Sequence, residues 1–372
     1  MLQDLTVVNY RSLKEFKIDR LSQVNLIVGD NNSGKTSFLE ALYLFLNKAQ
    51  PILLFYLLEL RGNITLLTEN KKFYQIKNLF FESNDKQELF LNIFSVRGKD
   101  MSIKICIETL DTKEISLTPE SWSLLGIPEL QLSIFVDKKQ IAKIPVFENG
   151  LLENPLEINL NFLNHLFSTS KYQFITTNKF SFNKLSMMWD KIALTSKEDK
   201  IIRALKILNS DIERLNFTNN SSDRSGIFFK IHNRENPIPI GNLGEGIHRI
   251  LALAMKLVMV ENGALLVDEI DIGLHYAAQT EMWKFVLEIA KQLNIQVFAT
   301  THSWDCICAF QEALAESEDS SIGQLFRLSR KDDTIKPVIY NADDLEIAVR
   351  QSIEVRCCLK DVNHRNPNPN NY

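Results

Sequence analysis

Residues 29–36 read Gly29-Asp30-Asn31-Asn32-Ser33-Gly34-Lys35-Thr36, filling every fixed position of the pattern G-x-x-x-x-G-K-[ST]. The apolar run Val24 to Val28 precedes this stretch, and Ser37-Phe38-Leu39-Glu40-Ala41-Leu42 follows it as helix-forming sequence. Strand, glycine-bounded loop and helix stand in the order the chemistry requires. The glycines let the backbone wrap a phosphate with successive N–H groups turned inward, and the helix adds its positive N-terminal end. Lys35 then reaches the β- and γ-phosphates of a nucleotide while the Thr36 hydroxyl ligates Mg²⁺. Asn31, Asn32, Ser33, Gly34 and Ser37 are expected to line the same cradle.

A second stretch, Ala264-Leu265-Leu266-Val267-Asp268-Glu269, delivers two carboxylates at the end of a fully apolar strand. Alone it reads as a surface turn. Beside a phosphate loop it supplies one acid, Asp268, to hold Mg²⁺ through its water shell, and another, Glu269, as the base aligning an attacking water. A third, Val297 to Ser303, ends a buried strand at His302. Strand ends of a doubly wound sheet gather at the ligand crevice, so His302 is either a structural hydrogen-bonder or a bridge between γ-phosphate and base. The fourth, Gly241-Asn242-Leu243-Gly244-Glu245-Gly246, opens a helix that continues Ile247-His248-Arg249-Ile250.

Around these motifs the chain of 372 residues has 45% hydrophobic and 24% charged side chains, with Gly 13 and Pro 10. That composition excludes collagen-like, low-complexity and largely disordered chains. A formal net charge of −4 provides no global basic field for nucleic acid. Five widely spread cysteines do not form a secreted disulfide framework, and MLQDLTVVNY carries no basic region leading into an apolar core. A cytoplasmic location is expected, with no membrane span, since the most apolar stretch (Phe38 to Leu60) is interrupted by charges and Pro51.

Alternation over residues 89–107 and 132–146 reads as an antiparallel β insertion spanning 50–150. Helical periodicity over 181–216 and from Gly246 to Val260 reads as a helical lobe covering 181–262. Strands at 264–267 and 295–300 flank a helix at 277–293, the rhythm of a parallel sheet covered by helices. The fold class expected is α/β, one P-loop NTPase domain over residues 1–355 with an N-terminal antiparallel region, followed by a flexible polar tail at 356–372.

The four motifs in this order resemble the ATP-binding-cassette ATPases, in particular the SMC/RecF/OLD-like branch and its OLD-like members of anti-phage operons. Asn9-Tyr10-Arg11-Ser12-Leu13-Lys14 is similar to that branch's N-terminal strand pair. Leu243-Gly244-Glu245-Gly246 stands where the signature motif lies, without its usual Ser-Gly-Gly core, and Asp271-Ile272-Gly273-Leu274-His275 resembles the D-loop. The resemblance implies a Mg²⁺-dependent ATPase that pairs as a homodimer or higher homo-oligomer around ATP. Gly244, Glu245, Gly246 and Asp271 would contact nucleotide, with His302 as the switch histidine. Arg11 would either approach the nucleotide or form a surface salt bridge. Gln173 is the candidate for the glutamine that couples the metal site to the helical lobe. The resemblance also implies a separately encoded nuclease or toxin partner in anti-phage defence, with DNA as a further ligand to test. No D-x-D pair occurs in the chain, so no nuclease centre of its own is expected.

Overall fold

The strand that delivers the glycine-bounded loop is buried along its whole length, which places it in the middle of a sheet covered on both faces. The computed structural model describes residues 1–68, 71–81, 93–110, 128–152, 170–178, 182–218, 226–331 and 334–356. The first half contains β1 (Asp4–Tyr10), β2 (Leu13–Asp19), β3 (Val24–Val28), α1 (Lys35–Leu46), α2 (Pro51–Leu60), β4 (Ile64–Thr68) and β5 (Lys71–Tyr74). It continues through β6 (Ile93–Arg97), β7 (Ser102–Thr109), β8 (Leu130–Val136), β9 (Lys139–Phe147) and β10 (Gly150–Leu152). The second half contains β11 (Tyr172–Ile175), α3 (Phe182–Trp189), α4 (Ser196–Lys206), β12 (Ile212–Thr218), β13 (Gly226–Ile231) and β14 (Ile238–Pro239). There follow α5 (Glu245–Met259), β15 (Ala264–Val267), α6 (Tyr276–Gln292), β16 (Gln296–Thr300), α7 (Trp304–Ala315), β17 (Gly323–Lys331), β18 (Thr334–Tyr340) and α8 (Ala342–Arg350).

A six-stranded sheet in the order β11-β15-β16-β3-β17-β18 carries the site. Its pairings are parallel from β11 to β17, and only β18 runs antiparallel, against β17. Side chains of this sheet alternate between two cores. Leu26, Leu265, Val297 and Leu325 join one core with α5, α6 and α7, while Ile27, Leu266, Phe298 and Phe326 join the other with α1. Burial on both faces is why β15 reads as an unbroken apolar run, and β3 and β16 as runs with one or two polar residues.

Helix α1 shows the same logic in helical form. Every residue from Ser37 to Phe45 is buried, because α1 lies between the parallel sheet and a nine-stranded antiparallel sheet. A helix apolar all round has no solvent face. Each large side chain so buried contributes on the order of 1.5–3 kcal/mol. The first turn of α1, carrying Lys35 and Thr36, is thereby held at the C-terminal end of β3.

The nine-stranded sheet runs β2-β1-β6-β7-β8-β9-β10-β5-β4. Here the expected boundaries change. The stretch 50–150 begins with a helix, α2, where Pro51 occupies the first turn and has no N–H to leave unpaired. Its strands are no appended layer either: Val7 of β1 pairs with Val96 of β6, so the lead-in strands and the later strands form one sheet. The region 181–262 is not purely helical, since β12, β13 and β14 make a small antiparallel sheet within it. Ile212, Leu215 and the half-buried Phe217 belong to a strand that breaks the helical period there. The tail beyond Arg356 lies outside the described residues. Among the described residues no helix is long and apolar enough to cross a membrane.

Candidate functional site

Because β16 lies between β15 and β3, three strand ends open side by side: Val28 into the phosphate loop, Val267 into Asp268, and Thr300 into Thr301 and His302. Gly29 and Gly34 both have positive φ, 150° and 90°. A Cβ at Gly29 would lie 2.6 Å from Ser33 Oγ and 2.7 Å from the Leu328 carbonyl oxygen, so only glycine lets the loop close this tightly. Inside the loop, Lys35 Nζ donates to the carbonyls of Gly29 and Asp30, each at 2.8 Å, and to Ser33 Oγ at 3.4 Å. Burial lowers the Lys35 ammonium to about 8, against the opposing pull of Asp268, Asp30 and Glu269.

The Thr36 hydroxyl donates to Asp268 Oδ2 at 3.0 Å, joining the two residues the sequence proposes for Mg²⁺. Asp268 is buried and Glu269 partly so. A hydroxyl and a carboxylate side by side are hard oxygen donors, the chemistry Mg²⁺ selects. The glycine-bounded loop beside them holds the Lys35 ammonium on its own carbonyls, a cation of the kind a polyphosphate requires. These residues fit both groups.

Two residues that sequence reasoning passed over organise the acidic pair. Thr300 Oγ1 donates to Asp268 Oδ1 at 2.7 Å and accepts the Glu269 N–H at 2.8 Å. Arg249, buried on α5, donates to the carbonyls of Thr176 (2.9 Å), Asp268 (2.6 Å) and Glu269 (2.8 Å). Glu269 itself has φ 49°, the left-handed region that a residue with a side chain rarely occupies without support. Arg249 left a trace in the sequence: it and Lys256 stand seven residues apart on one face of an otherwise apolar helix. Lys256 also bonds backbone of β11, the Phe174 carbonyl, at 2.7 Å.

Arg11 lines the phosphate-loop cleft with Asn31, Asn32, Ser33, Gly34, Ser37 and His302. Its Nε pairs with the buried carboxylate of Glu40 at 2.7 Å, and Arg61 Nε pairs with the other oxygen of Glu40 at 2.7 Å. The salt bridge expected at the surface is instead a pair with a buried carboxylate, which places Arg11 at the wall of the cleft. Arg61, also at the cleft, left no sequence signal; it stands at the C-cap of α2, just after Glu59 and Leu60. His302 sits exposed at the rim, its imidazole pushed below the usual range by partial desolvation and the Lys35 charge.

The helix start at Gly244 faces a different cleft, of about 390 Å³, lined by Thr177, Asn178, Gly241, Glu245, His248 and Ile272 among others. Gly246 passes close to the D-loop segment, where a Cβ would lie 2.8 Å from the Gly273 carbonyl oxygen. Asp271 of that segment accepts a 2.5 Å hydrogen bond from Thr301 Oγ1. Gln173 does not reach the site. Its Nε2 donates to the Ser170 carbonyl, at the end of β11 opposite to Asp268, and the site-facing end offers the Thr176 carbonyl instead.

Sheet order, phosphate loop and acidic pair together define a P-loop NTPase of the ATP-binding-cassette head type. The chain belongs to the family described as "AAA domain, putative AbiEii toxin, Type IV TA system", whose model matches residues 24–305. It is 24% identical to an ATP/GTP phosphatase of Helicobacter pylori, over 93% of this chain and 97% of that protein. It is 26% identical to the DNA replication and repair protein RecF of Bacillus cereus, over 46% of this chain and 45% of that one. In fold it is similar to an Smc head bound to the C-terminal winged-helix domain of ScpA, at TM-score 0.51, 13% identity, and coverage of 94% and 99%. An Smc head with an extended coiled coil bound to the C-terminal domain of ScpA, derived from Pyrococcus furiosus, gives TM-score 0.50, 12% identity, and coverage of 95% and 99%.

Proposed function

We propose that this chain is a Mg²⁺-dependent ATPase whose two copies close around two nucleotides and thereby gate a partner. One observation carries the reading: the phosphate-loop cleft and the cleft at the Gly244 helix start are lined by different residues within one chain. A helix N-terminus that opens on a cleft other than its own phosphate loop would meet a γ-phosphate across an interface with a second copy. Each site would then take Lys35, Thr36, Asp268 and Glu269 from one copy and Gly244–Gly246 from the other. Thr36 and Asp268 would hold Mg²⁺, which when bound neutralises charge on the phosphates. Glu269 accepts a proton from the attacking water, Lys35 neutralises the β- and γ-oxygens, and His302 reports the γ-phosphate. ATP acts as interface glue and hydrolysis releases it.

Mixing tests the reading. Lys35→Ala chains and Gly244→Asp chains, each inactive alone, should recover one working site per heterodimer. No recovery in heterodimers shown to form would mean that each site is complete within one chain.

The family description supports a toxin–antitoxin setting, and our reading extends it to anti-phage defence, with a separately encoded toxin or nuclease as the gated partner. The purified chain should hydrolyse ATP and cut neither DNA nor RNA. Metal-dependent cleavage that co-elutes with this chain alone would overturn that. The RecF relative favours a second reading, an ATP-bound dimer that binds DNA. Its mark is DNA affinity that appears with ATP and falls steeply with salt.

A further inference from the structure

The left-handed backbone of Glu269 is held from two sides. Its N–H is fixed by Thr300 on the neighbouring strand, and its carbonyl by Arg249, which comes from the helix that Gly244 opens. The same guanidinium takes the Asp268 and Thr176 carbonyls, so three carbonyl oxygens from two strand ends converge on one buried side chain. Burial opposes the charge, and Asp268, Asp271 and Glu269 favour it. Nη1 takes the Thr176 carbonyl while Nη2 takes those of Asp268 and Glu269, so the rigid planar fork spans two strand ends; a lysine carries its three donors on one nitrogen and cannot occupy both positions.

We propose that Arg249 is a positioning residue for hydrolysis: it fixes the backbone of Glu269 in its own chain, and so aims the base at the attacking water. Its hydrogen bonds to Thr176, Asp268 and Glu269 all go to main-chain carbonyls of its own chain, so it acts on the reaction through the backbone that carries the base. A base misplaced by about 1 Å forfeits on the order of 100-fold in rate. Loss of this hold should therefore fall on kcat and leave nucleotide affinity nearly intact. The inference rests on the two-copy reading for one of its tests only.

Arg249→Lys keeps a buried cation and Arg249→Gln removes it; if the glutamine variant fails to fold, the lysine variant carries the test. In the unmixed protein, Arg249→Lys should lower kcat by roughly 10- to 100-fold while KM and the affinity for a non-hydrolysable ATP analogue stay within about threefold. A loss confined to affinity, or unchanged kcat, overturns the proposal. Doubly tagged heterodimers then locate the effect. The reference pairs a Lys35→Ala chain, which lends its helix start, with a Gly244→Asp chain, which holds the working phosphate loop. Arg249→Lys added to the Gly244→Asp chain should reproduce the full fall in kcat. Added to the Lys35→Ala chain it should change the rate by less than about threefold. Equal falls in both arrangements would make Arg249 a support of the helix start and overturn the proposal. An inactive reference heterodimer would reject the two-copy reading alone, and the kcat and KM split in the unmixed variant would still decide the role of Arg249.

Discussion

Thr300 Oγ1 donates a 2.7 Å hydrogen bond to Asp268 Oδ1, and through this contact the end of β16 aligns the carboxylate at the end of β15. The same oxygen accepts the Glu269 N–H, so one hydroxyl orients both acidic residues. Thr300→Val keeps the shape, leaves the Glu269 N–H without its acceptor and leaves Asp268 with the Thr36 hydroxyl alone of its two hydroxyl donors. We expect a fall in kcat of roughly 10- to 100-fold and a stability loss of about 1–3 kcal/mol from the two lost hydrogen bonds. Thr300→Ser, which keeps the hydroxyl, should restore most of both. Steady-state kinetics and urea unfolding check this; a valine variant with wild-type kcat rejects it.

Binding and chemistry should separate between Lys35 and Glu269. Lys35→Ala removes the buried ammonium that faces the phosphates, and ATP binding should be lost. Glu269→Gln keeps both backbone bonds and removes only the base. It should bind ATP as wild type does and hydrolyse it at least roughly 100-fold more slowly. Isothermal titration and single-turnover assays read the two quantities, and a Glu269→Gln variant with normal turnover would return that carboxylate to a structural role.

His302→Ala should slow turnover by roughly tenfold or more and leave ATP affinity within about twofold, because the ring stands at the rim and not in the cradle. Loss of affinity alone would assign His302 to holding the loop after β16 and not to catalysis.

Nucleotide affinity should depend on pH through Lys35. Its folded-state value, lowered to about 8, means that the cation which attracts phosphate is complete below that pH and disappears above it. A bound polyphosphate favours the protonated form and raises the value again. The affinity of the free protein should therefore be flat below pH 8 and weaken as pH rises through it, toward tenfold per unit. His302 is already neutral there, since its imidazole titrates below the usual range. Titrating a fluorescent ATP analogue from about pH 6.5 to 9.5 tests the sign; affinity that strengthens with pH, or does not change, contradicts it.

Some of this site could be read directly from the chain, because its chemistry is local. Eight consecutive residues from Gly29 to Thr36 contain the glycines, the cation and the hydroxyl that a phosphate cradle needs, and covalent adjacency alone keeps them together. The buried strands around Leu266 and Phe298 were equally legible, since burial on both faces leaves a wholly or largely apolar run. Antiparallel pairing was legible within hairpins such as β8 and β9, but not where the lead-in strand β1 meets β6, for no short-range pattern specifies that distant partner. The same limit hid Thr300, Arg249 and Arg61. Thr300 aligns Asp268 because strand order sets β16 beside β15, and Arg249 reaches Glu269 because α5 packs over those strand ends. Arg61 meets Arg11 only at Glu40, one carboxylate buried between the layers. The loop and the acidic pair are properties of adjacent residues; what aims the pair at a phosphate is the stacking of distant segments, which only burial of the whole core brings within hydrogen-bond reach.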